Sequence, residues 1–203
     1  VDLMTGGTLY GATGCEDALP LIVEHAVDEV FLAAFAGNCQ IVAGDYAAAL
    51  ETLTPVVEQM LSEDDLSGLT AAWNLAWVQI QLDNAADAFR LMDRLVERER
   101  NREFQHALPE VLARRAGFHA YAFNFDEAIA DITEAIELDP DNPLYYRQRG
   151  AYIFLIYEWD RVLYDYNTAI LLDPTDADAY FSRGILFYTQ GPRPRALADY
   201  QRF

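Results

Sequence analysis

Apolar and polar residues recur along the second half of the chain with a period of 34 residues. Sliding the sequence on itself by that distance places Pro140 on Pro174, and it places Ala116 on Gly150 and then on Gly184. A fixed period in the range of roughly 20 to 50 residues is typical of repeat proteins, in which each copy is one supersecondary unit. The region from Pro109 to Phe203 therefore holds almost three copies of one pattern.

Each period predicts two helices. Residues 143–155 and 177–189 carry apolar residues at helical spacing, with a small residue where a neighbouring helix comes close. Residues 126–138 and 160–172 predict a second amphipathic helix, which the following Asp-Pro pair ends. Two short helices cannot bury their apolar stripes alone, so the copies are expected to stack.

This pattern resembles the tetratricopeptide repeat (TPR) family. The copy that begins at Pro143 has the family's small and large residues at the expected positions, with Val162 as a departure from Ala: Tyr146, Gly150, Tyr166, Ala169 and Pro174. The resemblance implies an all-α fold, a right-handed superhelical solenoid of about five helix pairs. We predict an extended or flexible arm at 1–16 and a solenoid at 17–203, with repeats near 30–63, 69–102, 109–142, 143–176 and 177–203.

The first half of the chain follows the pattern more loosely. Gly44-Asp45-Tyr46 matches the turn between the two helices of a repeat, which predicts helices near 29–43 and 47–61. Pro55 falls inside the second of these and is expected to kink or fray it. The interleaved charges of 90–102 predict a solvated helix face. The last copy stops at Phe203 without a polar capping helix, which motivates the hypothesis of a homo-oligomer formed through the C-terminal end.

Cys15 and Cys39 are the two cysteines of the sequence, and two arrangements are open. A helical hairpin that turns near Val27 would bring them together as a disulfide, whereas one continuous helix would hold them roughly 36 Å apart at 1.5 Å per residue. The compartment depends on this choice: a bridged pair places the protein outside the cytoplasm, and free thiols place it inside.

Charge restricts the range of partners. The sequence has a formal net charge of -19 and no Lys, and residues 1–89 contribute -14 because they contain 14 acidic and no basic residues. Such a surface repels nucleic-acid phosphates and anionic lipid. The most apolar stretch, 19–43, is interrupted by charged residues, so no membrane insertion is expected. A basic or polar peptide or protein is the partner that this charge favours.

The sequence contains no recognisable catalytic or metal-binding motif. His25, His106 and His119 are far apart, and their spacing does not suit zinc. None of the three serines lies in a nucleophile elbow, and there is no phosphate-binding glycine loop. We therefore expect a protein that is not an enzyme and has no cofactor and no metal.

Surface recognition remains as the predicted function. In TPR proteins the first helix of each repeat lines a groove, and the resemblance places these residues on that face: Phe35, Asn38, Trp73, Asn74, Trp77, Arg114, Tyr121, Arg147, Gln148, Phe181, Ile185 and Tyr188. The leading hypothesis is a scaffold that binds a peptide or protein segment there. Trp73 and Trp77 are either a single aromatic strip in the groove or part of the core between repeats. The alternative function is a self-association module, in which the arm or another copy occupies the groove.

Overall fold

The chain folds as an all-α protein. The structure is a computed structural model that describes residue 15 and residues 29–62, 68–103, 105–191 and 193–202. These residues contain ten helices and no strand: α1 Glu29–Val42, α2 Tyr46–Ser62, α3 Gly68–Gln81, α4 Ala85–Arg100, α5 Leu108–Tyr121, α6 Phe125–Leu138, α7 Pro143–Leu155, α8 Trp159–Leu172, α9 Ala177–Gln190 and α10 Arg193–Tyr200. The predicted fold class, an all-α helical solenoid, is confirmed.

The chain divides into two compact units, Val1–Leu95 and Val96–Phe203. In the first unit α1 packs on α2, and α2 packs on α3. In the second unit α5 packs on α6, α7 on α8 and α9 on α10, and each pair also contacts the next. Short turns join the two helices of a pair, so the partners run antiparallel. The predicted arm (apart from Cys15) and the turn near Val27 lie outside the described residues.

The helix ends that we predicted in the second unit are confirmed. Local side chains explain why the helices begin and end there. Asn142 accepts a hydrogen bond from the Leu144 amide (3.1 Å), and Asp176 accepts one from the Ala179 amide (3.0 Å). These are N-cap bonds, which satisfy amides that have no partner within the helix. Asp139 and Asp173 end α6 and α8 immediately before proline.

In the last two repeats the small residue lies where an aromatic ring from the second helix crosses the first helix. A Cβ atom added to Gly150 would lie 2.8 Å from the Tyr166 ring, and one added to Gly184 would lie 2.5 Å from the Tyr200 ring. The preceding repeat has Ala116 at the equivalent position and Ile132 in place of the tyrosine, and both are fully buried. Glycine is therefore favoured at Gly150 and Gly184 because an added Cβ would meet the ring, and Gly37 in the first unit is restricted in the same way, since a Cβ added there would lie 2.5 Å from Leu53.

Three ion pairs, which we call the Arg–Asp ladder, join the two helices of each repeat in the second unit. Arg149 donates from Nε and Nη2 to the two carboxylate oxygens of Asp165, at 2.9 and 2.7 Å. The bidentate pairs Arg115–Asp131 and Arg183–Asp199 have the same geometry, at 2.6 to 2.8 Å. All three aspartates are buried. A buried carboxylate needs such a partner, because the cost of removing it from water is otherwise not offset.

The ladder also connects successive repeats. Nη1 of Arg183 donates to the Asn167 side chain at 2.7 Å, and Nη1 of Arg149 donates to the Thr133 hydroxyl at 3.4 Å. Asn167 and Thr133 lie on the second helix of the preceding repeat. Each of these two arginines therefore fixes three helices relative to one another.

Two local expectations can be compared with the structure. Helix α2 continues through Pro55 to Ser62, so it does not end at the proline, and the kink expected there stays a prediction. Its buried residues Leu53, Val56 and Val57 hold the helix on both sides of the proline. The face 90–102 is not uniformly solvated, because Glu99 is fully buried between the half-buried side chains of Arg98 (2.9 Å) and Arg102 (3.5 Å).

Candidate functional site

In the first unit, two asparagines from the predicted groove set meet. The Asn74 side-chain amide on α3 donates to the side-chain oxygen of Asn38 on α1. Asn38, Asn74, Phe35 and Trp77 are half-buried. This hydrogen bond therefore joins the first helices of these two repeats, on which Phe35 and Trp77 are partly exposed.

Trp73 differs from the rest of that set. Only 7% of its surface is exposed, whereas Trp77 one turn later is half-buried. Trp73 therefore belongs to the core rather than to an exposed aromatic strip, and the two tryptophans do not form one continuous exposed strip. Helical spacing alone could not decide this, because both residues lie on the same side of α3.

In the second unit, the two arginines of the predicted face are engaged by acids. Nε of Arg147 lies 2.9 Å from the Asp176 carboxylate, and its Nη1 lies 3.3 Å from the Asp178 carboxylate, so this residue joins α7 to the start of α9. Arg114 lies 3.8 Å from Glu110. Gln148 is half-buried beside Arg147, and its side-chain oxygen has no hydrogen-bond partner among the described residues. These side chains form a polar face whose positive charges are already balanced.

Aromatic surface on the same helices is open to solvent. The exposed fraction is 51% for Tyr121 on α5 and 42% and 58% for Phe181 and Tyr188 on α9, while Ile185 between them is half-buried. The Phe181 ring lies 5.8 Å from the Tyr200 ring, which holds it in place. Exposed aromatic residues on a rigid helix are well suited to binding, because little side-chain freedom is lost on contact.

A buried tyrosine lies among the acids of this face. Burial raises the pKa of Tyr145 to about 12, and the nearby carboxylates of Asp139 and Glu110 act in the same direction. Its phenol is therefore neutral at any physiological pH and serves as a hydrogen-bonding group.

Cys15 and Cys39 form a disulfide, with 5.5 Å between their Cα atoms. The structure therefore has the two cysteines bridged rather than as free thiols, and the predicted turn near Val27 lies outside the described residues. The disulfide fixes residue 15 against α1, at a distance along the chain of 24 residues.

The described residues show no group of three or more His, Cys, Asp or Glu side chains that would suit a metal ion. None of the described helices combines the length and apolar character needed to cross a bilayer.

The comparisons with known proteins give the class of the fold. The family model described as "TPR repeat" matches residues 158–191, which include the whole of α8 and α9. The resemblance to TPR proteins is thus confirmed: the chain carries a tetratricopeptide repeat and has the fold of that family. TPR domains in general are non-enzymatic modules for protein interaction.

Particular structures share this fold. A crystal structure of MamA is 17% identical and superposes with a TM-score of 0.60, covering 85% of this chain and 88% of that one. YrrB, a TPR protein with an unusual peptide-binding site, is 16% identical with a TM-score of 0.54, covering 91% of this chain and 90% of that one. At this identity the likeness is one of fold. A search of curated proteins finds no match.

Sequence reasoning missed the Arg–Asp ladder, although the signal was present. Arg115, Arg149 and Arg183 recur at the 34-residue period, as do the three aspartates that follow each of them 16 residues later. Because 16 residues separate facing positions on the two helices of a repeat, this double recurrence was sufficient to predict the pairs.

Proposed function

We propose that this protein is a scaffold that binds a peptide or an extended protein segment on the face formed by the first helices of its repeats. The observation that supports the proposal most directly is the exposure of Tyr121, Phe181 and Tyr188 on that face of the second unit, next to balanced polar groups. In the first unit we assign the paired side chains of Asn38 and Asn74 to the same function.

The chemistry of this face favours a segment with apolar side chains and a polar backbone. The exposed rings offer apolar contact area, and the side chains of Asn and Gln can donate to or accept from a peptide backbone. The charge of Arg147 is neutralised by Asp176 and Asp178, so it is expected to orient the face rather than to attract an anion.

The test uses exposed tyrosines, because Trp73→Ala and Arg147→Ala would disturb the core and an ion-pair network. Peptides are selected on the purified protein from a random phage-displayed library, and their affinities are measured by fluorescence anisotropy. We expect Tyr121→Ala combined with Tyr188→Ala to weaken binding by tenfold or more, at about 1.4 kcal/mol per tenfold.

Tyr164→Ala is the matched control. This tyrosine is 63% exposed but lies on a second helix, α8, outside the proposed face. An equal loss with the control variant, or a failure to select any peptide, would contradict the proposed function.

A second candidate function is self-association, with the groove occupied by the N-terminal arm. The disulfide favours it, because it holds residue 15, where the predicted arm ends, against α1. Deleting residues 1–14 separates the two candidates, since self-occupancy predicts lost stability or assembly and a groove for a foreign peptide predicts neither. The disulfide also supports a location outside the cytoplasm.

A further inference from the structure

The arginines of this protein fall into two groups. Every arginine from Arg90 to Arg183 has a carboxylate partner within ion-pair distance. Arg193, Arg195 and Arg202 have no ion pair with any carboxylate among the described residues, and all three are exposed. In a chain with a net charge of -19 this local excess of positive charge is unexpected.

Each of these three arginines lies over an aromatic ring of α9. The guanidinium carbon of Arg193 is 5.5 Å from the centre of the Tyr188 ring, that of Arg195 is 5.8 Å from Phe187, and that of Arg202 is 5.8 Å from Tyr180. A cation over a ring face is held in place by the quadrupole of the ring and still keeps its N–H donors available.

The sequence explains why the pairing stops here. In the preceding repeat, Arg161 forms an ion pair with Glu158 at 2.5 Å. One period later Arg161 becomes Arg195, but Glu158 becomes Pro192, so the acid is lost while the base is kept. At the next position Trp159 is replaced by Arg193, which adds a second positive charge to the same turn.

The three arginines belong to one surface. Arg183 of the Arg–Asp ladder lies over both the Tyr180 ring (5.5 Å) and the Phe187 ring (5.9 Å). It therefore connects the ring under Arg202 with the ring under Arg195. Tyr180 and Phe187 are seven residues apart on one helix, which is roughly 10 Å at 1.5 Å per residue. We call this the arginine–aromatic surface: Arg193, Arg195, Arg202, Tyr180, Phe187 and Tyr188.

We propose that the arginine–aromatic surface binds an acidic peptide segment, whose side-chain carboxylates take the place of the missing ion-pair partners. A spacing of roughly 10 Å matches carboxylates about three residues apart in an extended peptide, at about 3.3 Å per residue. This second site does not depend on the proposed groove, with which it shares only Tyr188.

The net charge of the protein also favours a short acidic peptide over nucleic acid as the ligand of this surface. Beyond the arginine–aromatic surface the protein is strongly acidic, and residues 1–89 contribute -14 of the net charge. A long phosphate backbone would be repelled by this overall negative charge, whereas a short peptide needs to contact only the few residues of the arginine–aromatic surface.

The experiment measures binding of a fluorescein-labelled peptide with Glu at every third position and Ala between, about ten residues and so about 33 Å long, by anisotropy at low ionic strength. The comparison peptide has Gln in place of Glu. We expect the Glu peptide to bind and the Gln peptide not to bind. Arg193→Gln combined with Arg195→Gln should weaken binding about tenfold, since each exposed ion pair contributes modestly.

Arg161→Gln is the matched control, because Arg161 is equivalent to Arg195 in the preceding repeat but already has a carboxylate partner. It should leave peptide binding unchanged. The proposal is overturned if the Gln peptide binds equally well, if the control variant loses as much affinity, or if a single-stranded oligonucleotide of equal charge binds more tightly. A concentration-dependent dimer that the Arg193→Gln, Arg195→Gln variant abolishes, without peptide binding, would instead assign the surface to a second copy of the chain.

Discussion

Asp165→Ala is expected to destabilise the second unit by about 3 kcal/mol. Asp165 is 1% exposed and accepts two hydrogen bonds from Arg149. Removing the carboxylate leaves a half-buried guanidinium with only the long contact to Thr133 and the ring of Tyr146, 5.7 Å away. Removing one partner of a buried ion pair lowers stability by about 3 to 5 kcal/mol. The Arg149 side chain is 15% exposed, so water can reach its guanidinium, and we expect a loss at the lower end of that range.

A double variant shows how much of this loss is due to the uncompensated charge. Replacing Arg149 by Met and Asp165 by Leu removes both charges and fills a similar volume, so we expect a stability within about 1 kcal/mol of the native protein. The coupling between the two sites follows from the double-mutant cycle.

The assay is urea unfolding followed by circular dichroism, with free energies taken from the midpoint shifts at a common slope. Glu158→Ala is the control, because it breaks an ion pair with Arg161 whose two side chains are about half exposed, and it should cost less than about 1 kcal/mol. A loss below about 1 kcal/mol for Asp165→Ala would refute the reasoning, as would a double variant as unstable as the sum of its single variants.

Four further predictions concern packing, backbone conformation, pH and the disulfide. Gly150→Ala should destabilise the protein by about 1 to 2 kcal/mol because its Cβ meets the Tyr166 ring. In a Tyr166→Ile background the same change should stabilise it by about 1 kcal/mol through helix propensity, which thermal unfolding of the native protein, the two single variants and the double variant would test. Phe123 is 80% exposed with a φ of 63°, so Phe123→Gly should be about 1 kcal/mol more stable than Phe123→Ala, and equal stability would contradict the argument from left-handed strain. Burial raises the pKa of the Tyr166 phenol to about 12. The unfolded chain loses this proton from about pH 10 while the folded protein keeps it, so the free energy of unfolding falls as the pH rises above 10. Tyr166→Phe should show a shallower fall in melting temperature over the same pH range. Cys39→Ser should lower stability by about 3 kcal/mol in the chain-entropy model, and adding reductant should reproduce that loss in the native protein but change nothing in the variant.

The repeat and the positions of its helix ends could be predicted from local sequence signals. The 34-residue period, the Asp-Pro pairs and the small residue at Gly150 or Gly184 are all local signals, and the helices in the second unit begin and end within a residue or two of the predicted bounds. Turn and cap chemistry depends on neighbours along the chain, so it can be recognised without knowing how the helices pack.

Which residues of the predicted face are available to a partner depends on how the helices pack. Helical spacing places Trp73, Tyr121 and Arg147 on equivalent faces, but the first is buried, the second is half exposed and the third is neutralised by acids at the start of the next helix. The same holds for Cys15 and Cys39, since their separation depends on the path of the backbone between them. Exposure and pairing are properties of the neighbouring helix that covers a residue, and a period along one chain does not contain that information.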